Sequence, residues 1–276
     1  MKIEPGQTVL LTGASGGLGV HMARAFFARG TTLALVAHPG AGLENLRNEV
    51  DKSGVRTLVM ISDLRDPEQR RRLVQDVMRE LGPIDILVNN AGVEFTGAYH
   101  ELSEESIGEV LAVNLEAPMM LTRLILPEMV RRQRGHIVNV SSLAGKSGPA
   151  FQEAYAATKA GLIAFTSSVR ATYRNTGVSA SVVVPGFVEA GIYAELKQKS
   201  GCSAPKTLGT SAPQSVARAM LHAIEHDLPE IIINPIPVRP LLAFTALFPR
   251  VGEWIAGKTG ANDFFRDVVR SQNRPG

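Results

Sequence analysis

A glycine-rich turn between an apolar strand and an amphipathic helix constrains the fold of this chain more than any other feature. The sequence TGASGGLG follows a strand predicted at residues 8–11 and precedes a helix predicted at residues 20–28. This order aims backbone N–H groups and the positive end of a helix at a phosphate. Gly13 then permits the tight turn, Gly17 a close approach, and Gly19 close helix–strand packing. The strand before this turn and the helix after it favour a phosphate site over an ordinary turn.

Strands and helices alternate along the rest of the chain, which predicts a parallel sheet with helices on both faces. No linker or repeat interrupts the alternation, and 276 residues suffice for one large core. We therefore expect a doubly wound, Rossmann-type α/β domain of about seven strands in residues 1–235, with a C-terminal helical extension, residues 236–276, packed on it. Strands are predicted at 32–37, 56–61, 84–88, 136–140 and 230–233, and helices at 43–52, 67–81 and 213–226.

Tyr155 and Lys159 stand four residues apart on a predicted helix and therefore share one of its faces. The unperturbed pKa of tyrosine is about 10, and a neighbouring ammonium favours the phenolate and lowers that pKa. Ser142 follows the strand at 136–140, where its hydroxyl can bind the same substrate oxygen that Tyr155 protonates. The alternative is an ordinary helix with an exposed Tyr-Lys pair.

The residues after the second strand bear on the choice of dinucleotide. An acidic residue about twenty positions after the glycines would hold the ribose 2′-hydroxyl of NAD. Ala37 and His38 stand there, and the first carboxylate is Glu44. A 2′-phosphate is then tolerated, and His38 or Arg47 can contact it, unless His38 is only a surface residue. NADP is favoured, with NAD as the alternative.

The sequence motifs occur in the same order as in one enzyme family. TGASGGLG is followed by NNAG at 89–92, Asn114, Ser142 and Tyr155-x-x-x-Lys159. In this combination residues 8–233 resemble the short-chain dehydrogenase/reductase family. The NNAG element and the short chain indicate its compact branch.

The glycines alone leave the branch open. Gly13, Gly17 and Gly19 fit the compact branch, whereas Gly13, Gly16 and Gly19 fit the extended, epimerase-like branch.

The resemblance implies a role for each residue of the catalytic set. Tyr155 would protonate the substrate oxygen as hydride arrives from the nicotinamide, and Lys159 would hold the nicotinamide ribose and lower the tyrosine pKa. Ser142 would orient the carbonyl, with Ser141 as its rival. Asn114 would anchor a water in the proton relay.

The resemblance also implies the cofactor contacts. Asp63 would bind the adenine amino group with Leu64 beside it, and Val188 would present its backbone to the carboxamide. The family usually has threonine where Ala190 stands, so we expect weaker anchoring here. The remaining implied contacts are Gly13, Ser15, Gly17, Leu18, Gly19, His38, Asn90, Ala91, Gly92, Tyr155, Lys159, Pro185 and Gly186.

Composition narrows the function classes. The formal net charge is +3 and no long basic block occurs, so nothing indicates nucleic acid. Cys202 is the single cysteine, which excludes an internal disulfide and cysteine-based zinc sites, and we expect no metal. The N-terminus lacks a signal-peptide pattern and prolines interrupt the apolar segment 231–248, so we expect a soluble, cytoplasmic protein.

The substrate pocket is expected to be largely apolar. Residues 186–210 resemble a long loop that would form a lid. Phe95, Tyr99, Phe151 and Phe187 are candidate pocket residues, although each taken singly is better explained as a core residue. These side chains favour an apolar or amphipathic carbonyl compound.

The C-terminal extension has three open uses. Apolar helices are predicted at 240–256 and 263–270. They can wall the pocket, form a subunit interface, or lie on a membrane surface with Arg239, Arg250 and Lys258 facing headgroups.

The sequence therefore predicts an NADP-dependent oxidoreductase that interconverts a small-molecule carbonyl and a secondary alcohol, with Tyr155 as general acid/base. The rival is a non-catalytic, nucleotide-sensing protein of the same fold, which would more often lack part of the catalytic set. A sugar epimerase would need a larger substrate domain. We expect a homodimer through the helices that hold Asn114 and Tyr155, with a tetramer as the alternative.

Overall fold

Seven parallel strands form the central sheet of the computed structural model, which describes residues 1–40 and 54–272. The strands are β1 (Thr8–Thr12), β2 (Thr32–Ala37), β3 (Thr57–Ile61), β4 (Ile86–Asn89), β5 (Gly135–Val140), β6 (Val178–Pro185) and β7 (Glu230–Ile233). Their order across the sheet is β3-β2-β1-β4-β5-β6-β7, and every pairing is parallel. The predicted doubly wound α/β sheet is confirmed.

Helices cover both faces of this sheet. The predicted helix at 43–52, with Glu44 and Arg47, lies outside the described residues. A 3₁₀ turn (Tyr99–Glu101) precedes α3, and a π-helical turn (Ala112–Glu116) joins α3 to α4. The described helices are α1 (Gly17–Phe27), α2 (Pro67–Leu81), α3 (Glu104–Leu111), α4 (Ala117–Arg131), α5 (Ala144–Ser147), α6 (Glu153–Thr172), α7 (Gly191–Ser200), α8 (Pro213–Glu225), α9 (Arg239–Leu247), α10 (Pro249–Lys258) and α11 (Ala261–Gln272).

The central strands are mostly apolar because both sides of the sheet are covered. Successive side chains of a strand point to opposite faces. In β1, Val9 and Leu11 pack with Phe26 in one core cluster, whereas Leu10 packs with Leu121 in the other. This two-sided burial explains why the strands appear as continuous apolar runs in the sequence.

The sheet reverses its order between β1 and β4, and the carboxyl ends of these two strands open a crevice. The Thr12 hydroxyl accepts hydrogen bonds from the backbone N–H groups of Asn90 and Ala91, at 3.0 and 3.1 Å. The Asn90 amide donates to the carbonyl oxygens of Thr12 and Gly13, at 3.2 and 3.0 Å. The segment after β4 is thereby fastened to the glycine-rich turn.

Two expected segments differ in kind in the structure, whereas other elements differ from their expected bounds by at most three residues. Within the expected lid loop at 186–210, residues Gly191–Ser200 form helix α7. The helix expected at 240–256 is two helices, α9 and α10, because Phe248 leaves the helical conformation, with φ −127° and ψ 76°. A proline disfavours the α conformation at the preceding residue, and Pro249 follows Phe248.

The helical extension is anchored by aromatic contacts. Phe264 and Phe265 of α11 are buried and pack with Tyr193 of α7. The Phe187 ring lies 5.3 Å from the Tyr193 ring and 5.2 Å from the Phe264 ring, centroid to centroid, in edge-to-face arrangements. Such pairs stabilise by about 1 kcal/mol beyond their burial. These contacts join α7, α11 and the segment after β6 into one wall.

The helical run Glu104–Arg131 is long and apolar enough to cross a membrane by length and composition, but half of its apolar 18-residue window is buried within the protein. Leu121, Ile125 and Met129 of α4 are fully buried or nearly so in a core cluster. The run is therefore explained as a core helix.

His136 is a histidine without solvent exposure in β5. The Ser181 hydroxyl donates to the Leu228 carbonyl at 2.6 Å, so it accepts from Nε2 of His136 at 2.9 Å. Nδ1 has no hydrogen-bond partner among the described residues. Burial, which disfavours the imidazolium, lowers the pKa of His136 to about 3.

The free energy of unfolding should therefore fall as the pH decreases below the unfolded histidine pKa of about 6.5, because only the unfolded chain then binds a proton at His136. Between about pH 7.5 and about pH 5 this contribution amounts to about 2 kcal/mol. Urea unfolding at both pH values should show a smaller loss for His136→Gln than for the wild type.

His100→Gln is the control, because the side chain of His100 is 84% exposed and should contribute nothing comparable. An unchanged pH dependence in His136→Gln would contradict the assignment.

Candidate active site

A cavity of about 840 Å³ lies at the carboxyl end of the sheet. Its walls come from the glycine-rich turn, the ends of β4, β5 and β6, and the helices α6, α7, α9, α10 and α11. The predicted site residues that line it are Gly13, Gly17, Leu18, Asn90, Ala91, Gly92, Ser142, Tyr155, Lys159, Pro185, Gly186 and Val188. The predicted residues outside its lining are Ser15, Gly19, His38, Asp63, Leu64 and Asn114.

The N-terminus of α1 opens onto this cavity and suits an anion. Gly13 adopts a φ of +64°, which the turn requires and a glycine permits. The N-cap, Gly16, supplies no side-chain cap, and the first turn of α1 contains no acidic residue. Its uncapped N–H groups and the positive helix end therefore match a phosphate group.

Gly17 permits a different close approach from the one the glycine pattern suggests. A Cβ atom at this position would lie 2.1 Å from the backbone nitrogen of Gly191. The start of α7 therefore packs directly on the start of α1, and only glycine fits between them.

Strand β5 and helix α6 bring Ser142, Tyr155 and Lys159 together. Tyr155 is half-buried and Lys159 is buried. The Lys159 Nζ atom lies 5.4 Å from the centroid of the Tyr155 ring and donates to the Val140 carbonyl oxygen at 2.9 Å. Burial lowers the pKa of Lys159 to about 8.

The structure separates the two candidate serines. The Ser141 hydroxyl is buried and donates to the Lys159 carbonyl at 2.7 Å, so it fastens α6 to β5. The Ser142 hydroxyl accepts from the Ala144 backbone N–H at 3.1 Å and forms a hydrogen bond with Tyr155. Ser142 is therefore the serine presented to the cavity beside the phenol.

The pKa of Tyr155 shifts opposite to the direction expected from Lys159 alone. Burial of the phenol raises this pKa, the Glu94 carboxylate raises it further, and the hydrogen bond with Ser142 opposes both. Burial disfavours the phenolate, since the charged form loses its hydration. At neutral pH Tyr155 is therefore a protonated group.

Asn114 is completely buried in the π-helical turn between α3 and α4. Its Oδ1 accepts from the Val93 N–H and its Nδ2 donates to the Val93 carbonyl, both at 2.8 Å. A Cβ atom at Gly92 would lie 3.4 Å from Asn114 Oδ1 and 3.5 Å from Lys159 Nζ. Asn114 and Lys159 thus flank Gly92, and the π turn is of a kind that is frequent at functional sites.

Asp63, the predicted adenine contact, pairs with a neighbouring cation. Its carboxylate lies 2.7 Å from the Arg65 guanidinium, which lowers the pKa of Asp63. His38 is exposed and its charge acts on the same carboxylate. Leu64 is buried, and its carbonyl oxygen accepts a hydrogen bond from Arg70 at 2.7 Å.

Arg65 was missed by sequence reasoning, because nothing in its local pattern separates it from other surface arginines.

Glu94 is the second residue that sequence reasoning missed. It lines the cavity, and its Oε1 accepts from the Gln152 side chain at 2.5 Å and from the Thr96 hydroxyl. Burial raises the pKa of Glu94, and the Glu195 carboxylate across the cavity raises it further. The sequence carries the weak signal that a carboxylate directly follows NNAG and Val93.

The rest of the cavity wall is mostly apolar. Of the four aromatic residues predicted for the pocket, only Phe187 lines it. Phe95 and Tyr99 are exposed, and Phe151 packs against the cluster around Tyr193. The apolar lining instead comes from Tyr193, Leu196, Leu241, Leu242, Ile255 and Phe265.

Known proteins match both the sequence and the fold. The family model described as short chain dehydrogenase matches residues 7–201. Ketoacyl reductase HetN of Nostoc sp. is 43% identical over 280 residues, which cover 99% of this chain and 96% of that protein.

Two solved structures are similar in fold. A metagenomic short-chain oxidoreductase in complex with NADP superposes with a TM-score of 0.71 at 29% identity, covering 85% of this chain and all of its own. A variant of actinorhodin polyketide ketoreductase with NADPH superposes with a TM-score of 0.75 at 27% identity, covering 82% of this chain and 95% of its own.

Proposed function

The chain belongs to the short-chain dehydrogenase/reductase family of oxidoreductases, and on that premise we propose that it is an NADP-dependent reductase of an apolar or amphipathic ketone. The observation that carries the proposal is the convergence of Ser142, Tyr155 and Lys159 on one cavity at the crevice of the sheet. The reaction interconverts a carbonyl and a secondary alcohol.

Tyr155 is the general acid of the proposed reduction. The phenol would donate its proton to the substrate oxygen, and NADPH, when bound, would supply the hydride. The raised pKa of Tyr155 keeps the phenol protonated at neutral pH. Ser142 already bonds the phenol, so its hydroxyl is placed to orient the same oxygen. Lys159 would hold the nicotinamide ribose through its buried ammonium, and Asn114 would position a water behind it.

The residues of the crevice fit a dinucleotide. The uncapped start of α1 would hold the pyrophosphate, while Asn90, Ala91 and Gly92 would line the nucleoside. Val188 and Ala190 flank the cavity where the nicotinamide end would lie, and Ala190 offers no hydroxyl there. The Arg65 guanidinium and the exposed His38 side chain would lie at the adenosine edge, and position 38 carries no carboxylate, which supports NADP over NAD. Both solved neighbours carry NADP or NADPH.

The cavity supports a substrate with an extended apolar part. Beyond the part that the dinucleotide would fill, α7, α9, α10 and α11 supply apolar side chains to the cavity wall. Two of the similar proteins, a ketoacyl reductase and a polyketide ketoreductase, are named for such substrates. We therefore propose β-ketoacyl thioesters as the first substrate class to assay.

The assembly and the compartment are further parts of the proposal. A homodimer would pair through α4 and α6, which carry or adjoin Asn114 and Tyr155, and a tetramer is the alternative. Sedimentation equilibrium of the purified chain distinguishes these states. One cysteine, Cys202, and no cysteine-based site suit a reducing cytoplasm.

Tyr155→Phe should reduce kcat for NADPH-dependent ketone reduction by about 10²-fold or more, because the proton donor is lost. Binding of NADPH, followed by nicotinamide fluorescence, should stay nearly unchanged. Tyr173→Phe is the matched control, since Tyr173 lies just beyond the end of the same helix and away from the cavity.

Normal turnover in Tyr155→Phe would refute the mechanism. Binding of neither dinucleotide by the wild type would favour the non-catalytic alternative.

NADPH should bind more tightly than NADH, and His38→Asp should reverse that order. A carboxylate at this position repels the 2′-phosphate and accepts a hydrogen bond from the 2′-hydroxyl. Titration of both dinucleotides into wild type, His38→Asp and the control His100→Asp measures the effect. A wild-type preference for NADH would overturn the assignment of NADP.

Glu94→Gln should move the alkaline decline in the pH profile of kcat/KM for ketone reduction to lower pH by roughly half a unit or more. The reason is that removal of the carboxylate charge lowers the pKa of Tyr155. The amide keeps an acceptor oxygen for Gln152. Glu195→Gln is the control, since the exposed Glu195 should affect this decline less. An unchanged decline, or a shift to higher pH, would show that Glu94 does not act on Tyr155.

A further inference from the structure

Exposed apolar side chains are concentrated on the C-terminal extension. Six of the ten large exposed apolar residues in the described part of the chain lie within residues 236–254. Single exposed apolar residues are normal, whereas a contiguous group marks an interaction surface. The members are Ile236, Phe244, Leu247, Phe248, Val251 and Trp254, of which Leu247 is 75% and Trp254 66% exposed.

Five of these side chains form the outer face of the hairpin made by α9 and α10: Phe244, Leu247, Phe248, Val251 and Trp254. The Phe244 and Phe248 rings lie 5.0 Å apart, centroid to centroid. None of the five lines the catalytic cavity.

The inner face of the same hairpin is a wall of the cavity. Leu241, Leu242 and Ile255 contribute to its apolar lining. The two helices pack closely, because a Cβ atom at Gly252 would lie 2.8 Å from the Thr245 Cβ. The catalytic cavity and the outer face are therefore separated by a single layer of helix.

The charges around the outer face are mostly positive. Arg250 and Lys258 are exposed, and neither has an ion-pair partner among the residues that the structure describes. Arg239 lies at the start of α9, 3.5 Å from Glu230, and Glu253 is the one exposed acidic residue of α9 and α10. An apolar surface with aromatic residues and flanking cations matches the interface of an anionic bilayer.

We propose that the outer face of the α9–α10 hairpin docks on an anionic phospholipid membrane, with Leu247, Phe248 and Trp254 inserted at the interface and Arg250 and Lys258 against the headgroups. The helices contain nine and ten residues, too short to span the roughly 20-residue width of a bilayer core. The protein therefore lies on the surface.

The charge pattern favours lipid over a second copy of the chain. A two-fold interface places the same patch of both subunits face to face. Such pairing on this face would bring Arg250 and Lys258 near the cations of the other copy, whereas anionic headgroups neutralise them. The proposal that substrate reaches the cavity from the membrane side rests on the proposed function, but the docking itself does not.

Trp254 provides a direct measurement, because it is the single tryptophan of the chain. We expect its emission to shift to the blue, and brominated lipid to quench it, when the full-length protein is mixed with phosphatidylcholine vesicles that contain phosphatidylglycerol. Vesicles of phosphatidylcholine alone, or high salt, should give a much smaller change. Neither substrate nor cofactor is needed, so failure of the docking and failure of the catalytic proposal are distinguishable.

The variant Leu247→Ser/Phe248→Ser should weaken vesicle binding in a flotation assay by about tenfold or more, because it removes the apolar area that is buried. Both side chains are exposed, so the melting temperature and NADPH affinity should stay close to wild type. Ile61→Ser is the matched control, since Ile61 is 56% exposed at the far edge of the sheet.

Three results would overturn the proposal. One is no spectral shift with phosphatidylglycerol vesicles, and another is equal binding by Leu247→Ser/Phe248→Ser. The third is a lipid-free dimer that Leu247→Ser/Phe248→Ser dissociates in sedimentation, which would identify the outer face as a contact between copies. Loss of phosphatidylglycerol binding in Arg250→Glu/Lys258→Glu, with retained fold, would support the assigned headgroup contacts.

Discussion

Two reciprocal hydrogen bonds between helix α6 and the end of strand β5 hold the active site together. The Ser141 hydroxyl donates to the Lys159 carbonyl, and the Lys159 ammonium donates to the Val140 carbonyl, at 2.7 and 2.9 Å. They fix the rotation of α6 about its axis, and so they direct Tyr155 into the cavity beside Ser142. The same contact buries the ammonium, which lowers the pKa of Lys159. The four-residue spacing of Tyr155 and Lys159 places both side chains on one face of α6, and these two hydrogen bonds turn that face toward the cavity.

The groups around these hydrogen bonds determine the pKa of the Tyr155 phenol. Burial and the Glu94 carboxylate both disfavour the phenolate of Tyr155, and the ammonium of Lys159 is occupied by a backbone carbonyl. A site of this kind keeps its acid protonated, which suits reduction of a carbonyl. Glu94 stays in place because Gln152 and Thr96 bond its oxygen. A buried carboxylate without such partners would be costly.

The helical extension has two apolar faces with different neighbours. The inner face of the α9–α10 hairpin completes the cavity wall, and α11 fixes the extension through Phe264 and Phe265 against Phe187. The outer face has no cover among the described residues. An extension needed only as a wall would gain nothing from exposed Leu247 and Trp254, because exposed apolar area contributes no burial energy. The wall and the proposed docking surface are two sides of one element.

The sequence by itself determined the doubly wound sheet, the limits of β2 (Thr32–Ala37) and α2 (Pro67–Leu81), and the shared face of Tyr155 and Lys159. Buried strands, a proline at the first helical turn and helical spacing are local patterns that act within a few residues. The resemblance already preferred Ser142 to Ser141, and the tertiary structure gave the physical reason, because the Ser141 hydroxyl is bonded to the Lys159 carbonyl. Only the tertiary structure brought Glu94 to Gln152, 58 residues away. It also showed which face of the α9–α10 hairpin is buried. These outcomes depend on how separate elements pack, and a helix with apolar residues on both faces does not encode which of them meets the core.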